Sequence, residues 1–139
     1  MTMIIEMLRK HEGVETHAYK CTANKTTIGV GRNIDPDGGI GLSSDEINYL
    51  LASDVKRVNT ELTGAFSWYR TLGTARKDAI MDMCFNMGLP RLMKFKKALA
   101  GMAIGDYDEA AIEFLDSRWA NQVGQRAITV TDIIRSGDY

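Results

Sequence analysis

The sequence is poor in the residues that dictate structure by themselves. Its 139 residues include two prolines, two cysteines and two histidines. Cys21 and Cys84 are too few for a disulfide framework, and neither belongs to a CxxC pair. Free thiols in a reducing compartment are the simplest expectation. No run approaches the roughly 18 apolar residues of a membrane span, so no membrane anchor is expected. Neither sign of charge dominates: 17 basic and 18 acidic residues leave a net charge of -1. A strong general attraction to nucleic acid is therefore not expected. The opening stretch MTMIIEMLRKHEG has too short an apolar run, and charge too early, for a secretory signal. The chain is expected to accumulate in a cytoplasm. His11, His17 and Cys21 lie close in sequence but lack HxxxH or CxxC spacing. A zinc site needs at least three well-placed ligands, so neither metal nor other cofactor is expected.

What is present is ordinary globular material, 45% hydrophobic and 25% charged. One domain over residues 1–139 fits this length. Met3 to Lys10 reads as an amphipathic helix with Ile4, Ile5 and Leu8 on one face, Thr2 as N-cap and Gly13 as terminator. Ala18–Cys21 and Thr26–Gly31 read as two short strands around a turn at Thr22–Lys25. The run Asp35-Pro36-Asp37-Gly38-Gly39 is a strong turn signal, and Ile40 is expected to open a third strand. From Ser43 the pattern is helical. Ser43-Ser44-Asp45-Glu46 fits a capping box, followed by Leu50, Leu51, Val55, Val58 and Leu62 at helical spacing. Phe66, Trp68, Tyr69 and Leu72 predict a short apolar helix. Thr74 should cap a helix carrying Ala79, Ile80, Met83 and Met87 and stopping at Gly88. Pro90 suits the first turn of another, running through Leu92, Phe95 and Leu99 to Gly101. Asp106–Glu109 repeats the capping logic before Ala110, Ala111, Phe114 and Leu115. A last helix through Ala127, Ile128, Thr131 and Ile134 should end near Gly137. Trp68, Trp119 and the methionines Met81, Met83 and Met87 have core-like spacing and read as packing. The fold class is α+β: a small N-terminal β-hairpin lobe (about 13–45) and a larger helical lobe (about 60–139). A long helix from about Ser44 to Leu62 joins them. A cleft is the natural consequence of such a junction.

Chemistry is most plausible at the end of the first helix. Glu12 stands directly before Gly13; eight residues separate it from Cys21, and five separate Cys21 from Thr27. A hairpin folded back over the helix end brings the three together. Singly, each has a bland alternative: a helix-end Glu is more often a solvated group, a lone Cys a small hydrophobe, and a strand Thr a matter of β-propensity. The order of blocks is more specific. LRKHEG, AYKC, TTIGVGR, CFNMG and SRWANQ follow one another over nearly the whole chain, about Ile4 to Arg135. In these blocks the sequence resembles the phage-type lysozymes (endolysins) of glycoside hydrolase family 24. That family's pattern E-x8-(D or C)-x5-T is present as Glu12, Cys21 and Thr27.

The resemblance implies a lysozyme-like fold with the first helix packed on the helical lobe. It implies a muramidase cutting the β-1,4 bond between N-acetylmuramic acid and N-acetylglucosamine in bacterial peptidoglycan, for phage-induced lysis of the host. Glu12 would protonate the departing oxygen, which requires a pKa raised by burial or negative neighbours. Arg118 and Arg126 are the arginines expected near that acid. Cys21 stands where the best-known relatives carry Asp. As a thiolate it would attack the anomeric carbon, giving retention, or assist a water held by Thr27. Gly31 and Asn33 would present backbone groups to a sugar, and Phe85 and Asn86 would line the cleft. Arg32 replaces a histidine, so a histidine–aspartate pair is not expected. The protein would act as a monomer, waiting in the host bacterial cytoplasm until a separate holin permeabilises the membrane. Two other readings stay open: a wall-binding module without catalysis, and a lytic transglycosylase.

Overall fold

The computed structural model describes residues 2–139. The chain divides into two compact units, one ending at Leu50 and the other Leu51–Tyr139. The fold is α+β. Eight α-helices, one 3-10 turn and a three-stranded antiparallel sheet are found among the described residues. No helix among them is long and apolar enough to cross a membrane.

The first unit begins with α1 (Met3–Glu12). Thr2 is its N-cap in extended backbone, without a side-chain capping bond. Gly13 ends it at φ 78°, a conformation that glycine adopts without the Cβ penalty. None of its residues is buried. The sheet follows in the order β1 (Glu15–Lys20), β2 (Thr26–Gly29) and β3 (Arg32–Asn33). The first strand starts three residues earlier than its alternation indicates, and its register shifts between Glu15 and Tyr19. The third strand is not at Ile40. Gly29 and Gly31, at φ 69° and 66°, flank Val30 and reverse the chain at once, pairing Ile28 with Arg32 and Thr27 with Asn33. Ile40 instead donates its N–H to the Asn33 carbonyl from the loop that follows. That loop is braced by side chains: Asn33 Oδ1 accepts the Asp35 N–H, and the Asp35 carboxylate accepts the N–H groups of Thr26 and Asp37.

The helix α2 (Ser44–Ala65) opens with the expected reciprocal capping box. Glu46 N–H donates to Ser43 Oγ (3.2 Å) and Ser43 N–H donates to Glu46 Oε1 (2.8 Å). Arg32 then pairs with Glu46 (2.6 Å), so β3 is tied to the start of α2. Of the apolar stripe read along this helix, Val58 and Leu62 are buried, whereas Leu50, Leu51 and Val55 are exposed.

The second unit holds the buried core cluster. Phe66 stacks on Trp68, leading into the 3-10 turn Tyr69–Thr71 rather than an apolar α-helix. In α3 (Thr74–Met87) Gly73, not Thr74, is the N-cap; Ala79, Ile80, Met83 and Met87 are buried, and Gly88 ends the helix at φ 84°. The helix expected from Pro90 to Gly101 is two: α4 (Leu89–Leu92) and α5 (Lys96–Ile104). The break lets both Leu92 and Phe95 turn inward, with Phe95 against Phe114. Gly101 is interior to α5, because a Cβ there would meet Asp106 O at 3.0 Å and Ala110 Cβ at 3.2 Å. It serves the close α5–α6 approach rather than termination. The N-cap of α6 (Tyr107–Leu115) is Asp106, whose carboxylate accepts the Glu109 N–H. Short α7 (Arg118–Val123) was not apparent as a separate helix; Gly124 separates it from α8 (Gln125–Ser136). In α8 Ala127, Val130, Thr131 and Ile134 are buried, while Ile128 is exposed.

Candidate active site

Glu12 is the last residue of α1, and its carboxyl end reaches the β2–β3 turn. A Cβ built on Gly31 would lie 2.6 Å from Glu12 Oε2 and 2.9 Å from its Cδ. Only glycine permits that approach, and at φ 66° only glycine takes the backbone without strain. Gly31, a candidate sugar contact, has the Glu12 carboxyl group as its neighbour.

Cys21 and Thr27 come together beside the β1–β2 turn. Cys21 N–H donates to the Lys25 carbonyl (3.0 Å), and Asn24, at φ 61°, returns its N–H to the Cys21 carbonyl (2.8 Å). The tight loop aims backbone N–H groups of Lys25 and Ala23 at the Cys21 sulfur. These, with a smaller contribution from the Thr27 hydroxyl, hold the thiol below its ordinary pKa against partial desolvation. Cys84 behaves oppositely: burial in the core pushes its thiol up. The two cysteines are thus chemically distinct, and Cys21 is the one whose thiol ionises more readily.

Thr27 is buried, and its hydroxyl donates to the Lys25 carbonyl (2.9 Å). A hydroxyl has one proton to donate. Because that carbonyl also accepts the Cys21 N–H, Thr27 can turn its proton to the sulfur without orphaning the carbonyl. Asn33 is committed to its loop. Its side-chain oxygen holds Asp35, and its carbonyl accepts from Ile40 (2.8 Å) and Gly41 (3.3 Å). Asp35, outside the triad pattern, supports the site by fixing the Thr26 N–H beside Thr27. Its signal was available in the turn sequence, where an Asp can bond its own backbone two residues on.

In the second unit Phe85 and Asn86 lie exposed near the end of α3. Asn86 Oδ1 accepts the indole N–H of Trp119 (2.8 Å), joining the CFNMG and SRWANQ blocks in space. Trp119 is buried, as its reading as packing required. Phe85 borders a cavity of about 430 Å³ with Val55, Met81, Asp82 and Arg126. Arg126 pairs with Asp82 (2.8 Å) at its edge, and Arg118 is exposed. Among the described residues no three His, Cys, Asp or Glu side chains cluster closely enough to hold a metal ion.

The first unit thus carries a carboxyl group against the β2–β3 turn and a thiol beside a hydroxyl at the β1–β2 turn. Comparison with known proteins gives the class. The phage lysozyme family profile matches residues 9–132, and the chain belongs to that family. It is a glycosidase, a muramidase that degrades peptidoglycan. Similar proteins include probable T4-type lysozyme 2 of Dictyostelium discoideum, 28% identical over 95% of this chain and 93% of that one. The endolysin of Acyrthosiphon pisum secondary endosymbiont phage 1 is 26% identical over 86% of this chain and 80% of its own. The pre-baseplate central spike protein of Enterobacteria phage T4 is 28% identical over 96% of this chain, which matches only 28% of the spike protein.

Proposed function

We propose that Glu12 is the general acid of this muramidase, and that Cys21 and Thr27 act as a pair on the opposite side of the scissile bond. The bond is the β-1,4 link from N-acetylmuramic acid to N-acetylglucosamine. Glu12 gives its proton to the departing oxygen, and Gly31, having no side chain, leaves room for the carboxyl group. The observation that supports this reading is the closeness of the Glu12 carboxyl group to Gly31, where a Cβ would lie 2.6 Å from Oε2, in the same three-stranded sheet that carries Thr27 and ends its first strand beside Cys21. A thiolate at Cys21 has two routes: attack on the anomeric carbon, which gives retention, or removal of a proton from a Thr27-held water, which gives inversion. Phe85 and Asn86 meet the sugar chain. Gly31 and Asn33 do so with what their loop leaves free.

In this reading the protein is one lysozyme-like domain and a monomer, with a hairpin lobe at about 13–45 and a helical lobe at about 60–139. It is made in the host bacterial cytoplasm and reaches the wall once a separate holin opens the membrane, completing phage-induced lysis.

Mass spectrometry of digested peptidoglycan tests the reaction. Reducing muramic ends, carrying the elements of water, are expected. Anhydromuramic ends would mean a lytic transglycosylase. The anomeric configuration of the first product separates the two Cys21 routes. Cys21→Ser should lose much of the activity and Cys21→Asp keep some. A fully active Cys21→Ser enzyme would remove Cys21 from the chemistry.

A further inference from the structure

The longest stretch without an acidic residue in the second half of the chain runs between Asp82 and Asp106. It contains four basic residues, Arg91, Lys94, Lys96 and Lys97, within seven positions. All four are exposed, and none is in an ion pair among the described residues. The segment is not a loose charged tail. Leu92, Ala98 and Leu99 are buried and Phe95 packs on Phe114, so the backbone between α4 and α5 is anchored and the cations are held outward.

Lys96 and Lys97 are also at the wrong end of a helix. They form the first turn of α5, whose N-cap Phe95 supplies no side-chain capping bond and whose first turn has no acid. The positive pole of the helix is there, so cations at this point are unfavourable. A local rule broken with no ion pair to offset it points to function. The carboxylates facing the segment are Glu109, Glu113 and Asp116. Glu113 and Asp116 border the same concavity as Lys94, Lys96 and Lys97, and Lys97 acts on Glu109 through space, yet no ion pair within 4 Å joins any of the three to the patch among the described residues.

We propose that this patch is a wall-binding surface that engages the free carboxylates of peptidoglycan peptide stems. The proposal rests on the muramidase reading and adds to it a peptide-recognising element outside the Glu12 hairpin. Lysine ammoniums are point charges suited to dispersed carboxylates. The flanking acids would repel a phosphate polymer, whereas a stem, with an amine beside its carboxylates, is compatible with them. The contribution is electrostatic: the screening length falls from about 30 Å at about 0.01 M salt to about 3 Å at about 1 M.

The test is co-sedimentation of the protein with insoluble purified sacculi, for wild type and Lys94→Gln/Lys96→Gln/Lys97→Gln. Three exposed charges lead us to expect roughly tenfold weaker binding at low salt, a difference that vanishes at high salt. Hydrolysis of a peptide-free glycan should be unchanged, which also shows the variant is folded. Sacculi whose carboxylates have been amidated should bind wild type as weakly as the variant. Equal binding of both proteins to native sacculi would overturn the proposal, as would a loss that persists on amidated sacculi. Wild type that prefers vesicles of anionic phospholipid to sacculi would overturn it in favour of a membrane partner. Should wild type release no reducing ends from sacculi, the muramidase reading itself would fail, a distinct outcome.

Discussion

Replacing Gly31 by alanine separates a strained backbone from a displaced acid. Two effects are built into the site. At φ 66° any Cβ imposes left-handed backbone strain of about 1–2 kcal/mol. That corresponds to a fall in melting temperature of about 4 °C per kcal/mol for a chain this size. The second effect falls on Glu12, whose Oε2, Cδ and Cγ would lie 2.6, 2.9 and 3.0 Å from the new atom. Glu12 is exposed at the end of α1, so its side chain can rotate away rather than force the backbone apart. The energy is small but the carboxyl group moves by the order of an ångström. Misplacement on that scale costs about 10²-fold in rate, equivalent to about 2.7 kcal/mol of barrier. Gly29 supplies the control. Its φ is 69°, nearly the same, but a Cβ there meets nothing within 4 Å. Gly29→Ala and Gly31→Ala should therefore lose similar stability in thermal melts. Only Gly31→Ala should lose about 10²-fold in the initial rate of peptidoglycan hydrolysis. Equal rates for the two variants, or a Gly31→Ala enzyme as active as wild type, would refute the assignment of that contact to catalysis.

Other outcomes follow from the same structure. The Cys21 thiol lies below its ordinary pKa and the Cys84 thiol above, so mild alkylation should modify Cys21 first and inactivate in step. Equal modification of both, or full activity after Cys21 is blocked, would contradict a thiolate role. Asp35 and Glu46 are both held below the usual carboxylate range, Asp35 first by the Thr26 N–H and Glu46 first by the Ser43 N–H. Their folded pKa values lie below the unfolded ones of about 3.9 and 4.3, so their stabilisation is present above about pH 4 and lost as pH falls through the lowered values. Thermal melts should decline there, and Asp35→Asn should flatten the decline. Arg76 donates to the carbonyls of Ile134 (2.7 Å) and Arg135 (3.1 Å) at the end of α8 and stacks on Tyr107 at 3.7 Å. Arg76→Ala should cost about 1.5–3 kcal/mol in denaturant titration with an unchanged slope.

Local chemistry was legible and close approaches were not. Ser43 with Glu46, Asp106 with Glu109, and Gly13 and Gly88 all act within a few residues, and each does what its spacing indicates. Gly101 reads identically to a terminating glycine, but its reason is the neighbouring helix, which no local pattern records. The break at Met93–Phe95 carries neither glycine nor proline; only the inward placement of both Leu92 and Phe95 marks it, and that is a matter of packing. β3 is only two residues long and has no alternation to reveal it, so Ile40 was the more attractive strand start. In the site, the spacing of Glu12, Cys21 and Thr27 was visible. The contact that makes Gly31 part of it was not, because it joins a helix end to a turn 19 positions away.

The most direct test of Glu12 as the acid is the release of reducing ends from purified sacculi by wild type and Glu12→Gln, each shown folded by its melting transition. Glutamine keeps the shape and removes the proton. Loss of general acid catalysis predicts a fall of about 10²- to 10⁴-fold. Equal rates for the two proteins would contradict the account at its centre.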